Sequence, residues 1–193
     1  MRVAAPLLAL GLLALGLLGG CRENSAAPIR IDLGPTASDE LTLVPRASLA
    51  ELIEVSPTES ALFLTLTSSE RTCEALAEAD AEAAGVSVRL KLPGGRKLEP
   101  GSYPLLTEPV SPAVPSAEAP APEKPSVQAT VKLRGKRQEL RSGGELTLGQ
   151  VDATPQGSID GLLKFEFTGD AEHPATRVSG HFLAHFCRIN RLR

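Results

Sequence analysis

Tryptophan is absent, tyrosine occurs once, and aromatic residues make up only 3% of the 193 positions. Proteins that hold sugars or single-stranded bases stack them on exposed aromatic rings, so that mode of recognition has little to work with. A basic excess is also missing: 20 Lys and Arg stand against 23 Asp and Glu, for a net charge of −3. A general nucleic-acid binder needs the opposite balance to neutralise phosphates, and that class is excluded. No two of the three cysteines are spaced Cys-x-x-Cys, which removes the usual thiol-redox and zinc patterns. The serine-nucleophile signatures Gly-x-Ser-x-Gly and Ser-x-x-Lys do not occur. Gly94-Gly95 and Gly143-Gly144 lack the Lys-Ser/Thr and helix start of a phosphate loop. The composition therefore points away from an enzyme, and no cofactor or metal is implied.

What is present begins at the amino terminus. Arg2 is followed by an uncharged, Leu- and Ala-rich run from Val3 to Leu18. About 16 apolar residues are short for a membrane span and suit the core of an export signal. The run closes on Leu18-Gly19-Gly20-Cys21. This resembles the lipobox of bacterial lipoproteins, in which small residues let the peptidase approach the backbone and the cysteine thiol takes a diacylglycerol. The resemblance implies a signal peptide over 1–20, lipidation at Cys21 and a membrane as first partner, in the bacterial cell envelope. Arg22, rather than Asp, stands after the cysteine, which by the same resemblance favours the outer membrane. Residues 21–28 read as a polar tether, and the 173 residues left after cleavage suffice for one domain with a real core.

Two cysteines remain, Cys73 and Cys187, separated by 114 residues. In an oxidising compartment such a pair is expected to form a disulfide. Closing a loop that long is worth about 4–5 kcal/mol as an upper figure. The alternative, a redox-active or metal-binding pair, has no supporting spacing.

The remainder reads mainly as short strands of alternating polarity. Candidates are Ile29–Leu33, Leu41–Val44, Ala61–Thr67, Val86–Leu92, Val127–Leu133, Ile159–Phe167 and Val178–Phe186. Pro93-Gly94-Gly95, Gly135-Lys136, Gly143-Gly144 and Gly169-Asp170 supply turn chemistry between them. The expected fold is mainly β: an antiparallel β-sandwich or barrel-like domain over 29–193 with one short α-helix. That helix is expected from Glu70 to Ala84 with Gly85 as its cap, Cys73 facing inward, and Glu70, Glu74, Glu78 and Glu82 as a solvated acidic stripe. Residues 108–126 carry six prolines among Ala, Ser, Val and Glu and read as a low-complexity, disordered loop inserted in the domain. From Leu62 to Cys187, the order Thr72-Cys73, Gly101-Ser102-Tyr103-Pro104 and Val178-Ser179-Gly180-His181-Phe182 is similar to β-sandwich lipoproteins of Gram-negative bacteria. That resemblance implies a fold and no activity.

Two groups of side chains carry possible chemistry. His181 and His185 fall on one side of a strand, about 13 Å apart at 3.3 Å per residue, too far to share a metal ion. With His173 in a nearby loop they make a weak metal candidate beside the simpler reading of solvent-facing histidines. Lys132, Arg134, Lys136, Arg137 and Arg141 cluster around one turn, and Arg188, Arg191 and Arg193 end the chain. The hairpin is a candidate patch for a protein partner or anionic lipid, weighed against charged edges that merely prevent aggregation. The expected function is a lipid-anchored structural, accessory or binding protein acting through its surface. A β-scaffold enclosing a small ligand or lipid is the alternative, and a metal-dependent enzyme the least favoured reading.

Overall fold

The computed structural model describes residues 28–33, 39–74, 83–106, 124–133, 136–169 and 174–190. Most of them lie in eleven strands: β1 (Ile29–Leu33), β2 (Asp39–Leu43), β3 (Ala47–Ser56), β4 (Glu59–Thr67), β5 (Gly85–Pro93), β6 (Gly101–Pro104), β7 (Ser126–Leu133), β8 (Lys136–Leu140), β9 (Gly143–Val151), β10 (Ser158–Phe167) and β11 (Thr176–Asn190). They form one sheet in the order β6-β9-β10-β11-β3-β4-β5-β7-β8, with β1 and β2 branching from β11. The fold is mainly β, one curled, open sheet that makes a half-barrel in place of the expected sandwich or barrel-like domain. Its ends approach at single points: Leu105 forms an isolated parallel bridge with Val127, and Gln138 of β8 is latched to the β10–β11 connection. There its amide donates to the Pro174 carbonyl and its oxygen accepts the Thr176 hydroxyl, at 3.1 and 3.0 Å.

The alternation read from the sequence is what closes the core. Leu62, Leu64 and Leu66 of β4 pair with Leu90, Val88 and Val86 of β5, which pair in turn with Val127, Ala129 and Val131 of β7. All nine are buried, a consequence of period-two side chains meeting in register. From the other wing Ile159, Leu163, Phe165, Val178, Phe182, Ala184 and Phe186 point into the same interior. Gly161 stands opposite Phe182, where a Cβ would lie 2.9 Å from the ring and closer still to the Thr147 carbonyl. Its missing side chain is what lets that ring lie across β10.

β11 is 15 residues long and does more than one job. One edge pairs with β10 from Thr176 to His185. Its other edge is divided: Thr176–Ser179 pairs antiparallel with β1, and His185–Asn190 pairs parallel with β3. The parallel register skips Cys187, a bulge between Phe186 and Arg188. A second bulge sits where Gly149 and Gln150 of β9 face Asp160, whose carboxylate accepts the Gln150 amide at 2.7 Å. Such bulges bend a strand and turn its side chains.

Four strands, β3, β6, β8 and β9, have no counterpart among the sequence candidates. Gly143-Gly144, expected as a turn, opens β9 instead; Gly144 has φ +115°, and a Cβ there would collide with the Lys164 carbonyl. The expected helix is not found in its described parts. Glu70–Glu74 is turn and coil, Ala83-Ala84 is coil, Gly85 starts β5, and 75–82 lies outside the described residues. The physical reason is visible at its ends. The Ser68 amide donates to the Ala84 carbonyl at 2.9 Å, and the Ala84 amide donates to the Ser68 hydroxyl at 3.1 Å. These bonds extend the β4–β5 ladder and hold Ala84 out of helical geometry. The expected low-complexity loop lies largely outside the described residues, while strands before and after it belong to the same sheet.

Phe165 is fully buried at the centre of this interior. Replacing it with alanine is expected to cost about 3–5 kcal/mol, measured by urea denaturation; a loss under about 1 kcal/mol would contradict the packing described.

Candidate functional site

Cys73 and Cys187 stand at disulfide distance, with Cα atoms 5.1 Å apart. The link lies on the outer side of the sheet: Cys73 is exposed and Cys187 half-buried. To reach the bulge in β11, the chain leaving β4 at Thr67 must pass over β3. Leu49, directed outward by its pairing with Thr65, is buried on that side. The Arg46 amide donating to the Thr67 carbonyl and an Arg46–Glu70 ion pair at 3.6 Å steady the start of this crossing. At its tip a hydrogen bond from Thr72 is the main cause holding the Glu74 carboxyl below the usual range.

His181 and His185 both lie on the outer side of β11 and are exposed, paired across to Leu162 and Ser158. They are not brought together, His173 lies outside the described residues, and no group of three or more metal-ligating side chains converges among the described residues.

The basic cluster is only partly a cluster. Lys132 and Arg137 are directly opposed across β7 and β8. Arg141 is turned back onto Glu139, its Nε 2.9 Å from a carboxylate oxygen, so its charge is already matched. Arg134 and the Lys136 side chain lie outside the described residues, as do Cys21, Arg191 and Arg193; Arg188 faces Glu51 at 3.8 Å.

Sequence reasoning missed the recesses, because they are made by pairings distant in the chain. One, of about 430 Å³, lies on the outside of β4, β5, β7 and β8. Its floor is a cross-strand row of hydroxyls, Thr65, Ser87 and Thr130, each in register with the next. Beside it Arg89 sits over the Phe63 ring, 5.6 Å from its centre. A larger recess of about 680 Å³ opens at the end of the half-barrel where β11 finishes. Leu52, Leu98 and Ala153 provide apolar surface, Glu54 and Glu59 acidic groups, and Arg96 and Lys97 basic ones. A smaller neighbour of about 240 Å³ shares Arg96 and Lys97 and adds Tyr103.

The segment carrying those cations is held at both ends. Gly94 and Gly95, at φ +70° and +68°, turn the chain out of β5, a conformation natural to glycine. The Gly95 amide then donates to the Thr58 carbonyl at 3.1 Å. Beyond the cations, the Tyr103 hydroxyl donates to the Glu99 carbonyl at 2.7 Å. Burial raises the Tyr103 phenol above its ordinary value, and the Glu99 backbone bond opposes that shift.

Two measurements check this geometry. Replacing Cys73 and Cys187 together by serine is expected to lower stability by about 2–5 kcal/mol; an unchanged denaturation midpoint would show the link to be idle. Tyr103 is the single tyrosine, so phenolate absorbance reports it alone. Because the folded pKa is raised, its contribution to stability is present below the unfolded value near 10 and is lost as pH climbs through the folded value. The absorbance midpoint is expected above 10 in the folded protein and back near 10 in denaturant; coincident midpoints would contradict the burial. Compared with protein-family models, curated proteins and solved structures, the chain matches none of them.

Proposed function

We propose that this chain is a lipid-anchored protein of the bacterial cell envelope that acts without chemistry of its own, as an accessory or binding protein working through its outer surface. The observation that carries the reading is a filled interior bounded by open recesses. Phe165, Leu163, Ile159, Leu62, Leu64 and Leu90, all 0–1% exposed, occupy the space a small ligand would need. A scaffold packed in this way keeps its shape and leaves recognition to the exterior. The lipobox at Leu18-Gly19-Gly20-Cys21 supports the anchor: each buried methylene of an acyl chain adds about 0.8 kcal/mol, and several chains on one cysteine make detachment negligible.

The basic end of the β7–β8 hairpin, Lys132 and Arg137, supports an acidic protein partner as the first candidate. Charge at an exposed rim mainly speeds encounter and selects the partner, which suits a protein held at a surface. Enclosure of a small ligand within the scaffold is the weaker reading, because the interior is already occupied.

The test is affinity purification of the full chain from gently solubilised native membranes, with mass spectrometry of what accompanies it. A reproducible protein partner, reduced by replacing Lys132 and Arg137 with glutamate, is the expected result. A purified chain that turns over a substrate would contradict the proposal. Replacing Cys21 with serine is expected to remove the acyl mass from the amino-terminal peptide; a wild-type chain lacking that mass would contradict the anchor.

A further inference from the structure

The chain that carries Cys73 forms a strap over the outer face of β3, and its base is clamped without help from the disulfide. The Ser68 amide donates to the Ala84 carbonyl at 2.9 Å, and the Arg46 amide to the Thr67 carbonyl at 2.8 Å. The hydroxyl of Thr67, a residue only 5% exposed, donates to the same Ala84 carbonyl at 3.3 Å and accepts the Ser69 amide at 3.3 Å. Past Ser69 the contacts are weaker. Glu70 meets Arg46 at 3.6 Å with side chains 84% and 67% exposed, and a pair so open to water contributes little. Arg71 donates to the Ser69 hydroxyl, two residues back, at 3.4 Å. The strap from Glu70 to Glu74 is therefore held to the sheet chiefly by the Cys73–Cys187 bond.

The two sulfurs of that bond are unequal. Cys73 is exposed, whereas Cys187 is half-buried in the bulge between Phe186 and Arg188. A thiolate displaces one sulfur from the other along the line of the bond, so access decides which end is attacked. Approach to Cys73 comes from solvent, while the matching approach to Cys187 runs into the sheet. Exposed disulfides are the labile ones, and buried structural ones resist reduction. The ten register pairs of β11 with β10 and its five with β3 all lie outside the strap.

From the clamped base and the unequal sulfurs we infer that the Cys73–Cys187 bond is a redox clasp: a dithiol reductant opens it in the folded protein, frees Glu70–Glu74 and uncovers Leu49. The inference goes beyond the reading of the chain as a surface-acting protein and does not depend on its anchor. One thiolate of the dithiol attacks the Cys73 Sγ, the S–S bond breaks, and Cys187 leaves as a thiolate that takes up a proton. The second sulfur of the reductant gives up its proton and attacks the first within the mixed disulfide. Cys73 then leaves and is protonated in turn. Two electrons pass from the dithiol, which becomes a disulfide, to the two cysteines, which become thiols. A thiol–disulfide oxidoreductase with a reactive Cys-x-x-Cys pair is the class of partner that supplies them. Leu49, 8% exposed beneath the strap, favours reclosure, because the open state leaves its apolar surface in water.

The test treats the oxidised full chain with dithiothreitol in native buffer, blocks free thiols at intervals and reads the Cys73 and Cys187 peptides by mass spectrometry. Reduction is expected to rise in proportion to dithiothreitol and to run at least about ten-fold faster than global unfolding of the same protein. Trypsin then reports on the strap. Cleavage after Arg71 is expected to speed up at least about ten-fold on reduction, while the bonds after Arg89 in β5 and Arg177 in β11 stay intact. Oxidised glutathione, added after the dithiothreitol is removed, is expected to re-form the link and return Arg71 to its slow cleavage. Reduction that waits for global unfolding would overturn the inference, as would unchanged cleavage at Arg71 or failure of the link to re-form. Cleavage at Arg89 and Arg177 along with Arg71 would overturn it as well, because the bond would then hold the whole domain and not a strap.

Discussion

The structure depends on one divided edge. β11 offers β10 an almost complete antiparallel partner on one side, and on the other it is shared between β1 and β3. A strand's edge can hydrogen-bond only one neighbour at a given position. Two partners on one edge must therefore occupy different stretches, and the sheet diverges between them around Gly180. There a Cβ would lie 3.0 Å from the Ile29 Cα, so the close approach of β1 leaves little space for a side chain. From that divergence the β3–β4–β5–β7–β8 wing curls one way, β10–β9–β6 curls the other, and the apolar faces of both enclose the core.

The disulfide stands at the weakest part of this arrangement. The β11–β3 contact is the one strand pairing of the described sheet that is parallel, and it carries the bulge at Cys187. Parallel pairing is slightly less stable per residue than antiparallel, and a bulge leaves one residue outside the ladder. Cys73, arriving from the end of β4, fastens the loop across β3 at that position. The covalent link thus crosses the seam where β11 meets the second wing. It also explains how an outward-facing Leu49 comes to be buried.

Much of the fold was legible because burial on one face imposes alternation. Val86–Leu92, Val127–Leu133 and Ile159–Phe167 appear within a residue or two of their expected limits. β3 escaped because its sequence, ASLAELIEVS, carries apolar residues on both faces; one face packs inward, while on the other Leu49 lies beneath the Cys73 crossing and Val55 is exposed. β8 and β9 escaped because Gly143-Gly144 resembles a turn, although the close backbone of β10 requires glycine at Gly144. The helix expectation arose from a true period in Cys73, Leu76, Ala77 and Ala81. Yet Thr67, Ser68 and Ala84 are tied by backbone and hydroxyl hydrogen bonds that no helical period reveals. The disulfide followed from counting cysteines. The recesses did not, since Arg96, Lys97, Glu54 and Asn190 come from three separate stretches that only the long-range pairing assembles.

If the divided edge of β11 holds the fold together, its amides open only when the whole domain does. Native-state hydrogen exchange, residue by residue, tests this directly. The account predicts the slowest exchange along both halves of β11 and the facing residues of β10 and β3, all with the free energy of global unfolding. Fast exchange from Phe186 to Asn190, with β7 and β8 remaining protected, would mean that the two wings hold without the parallel seam and would contradict it.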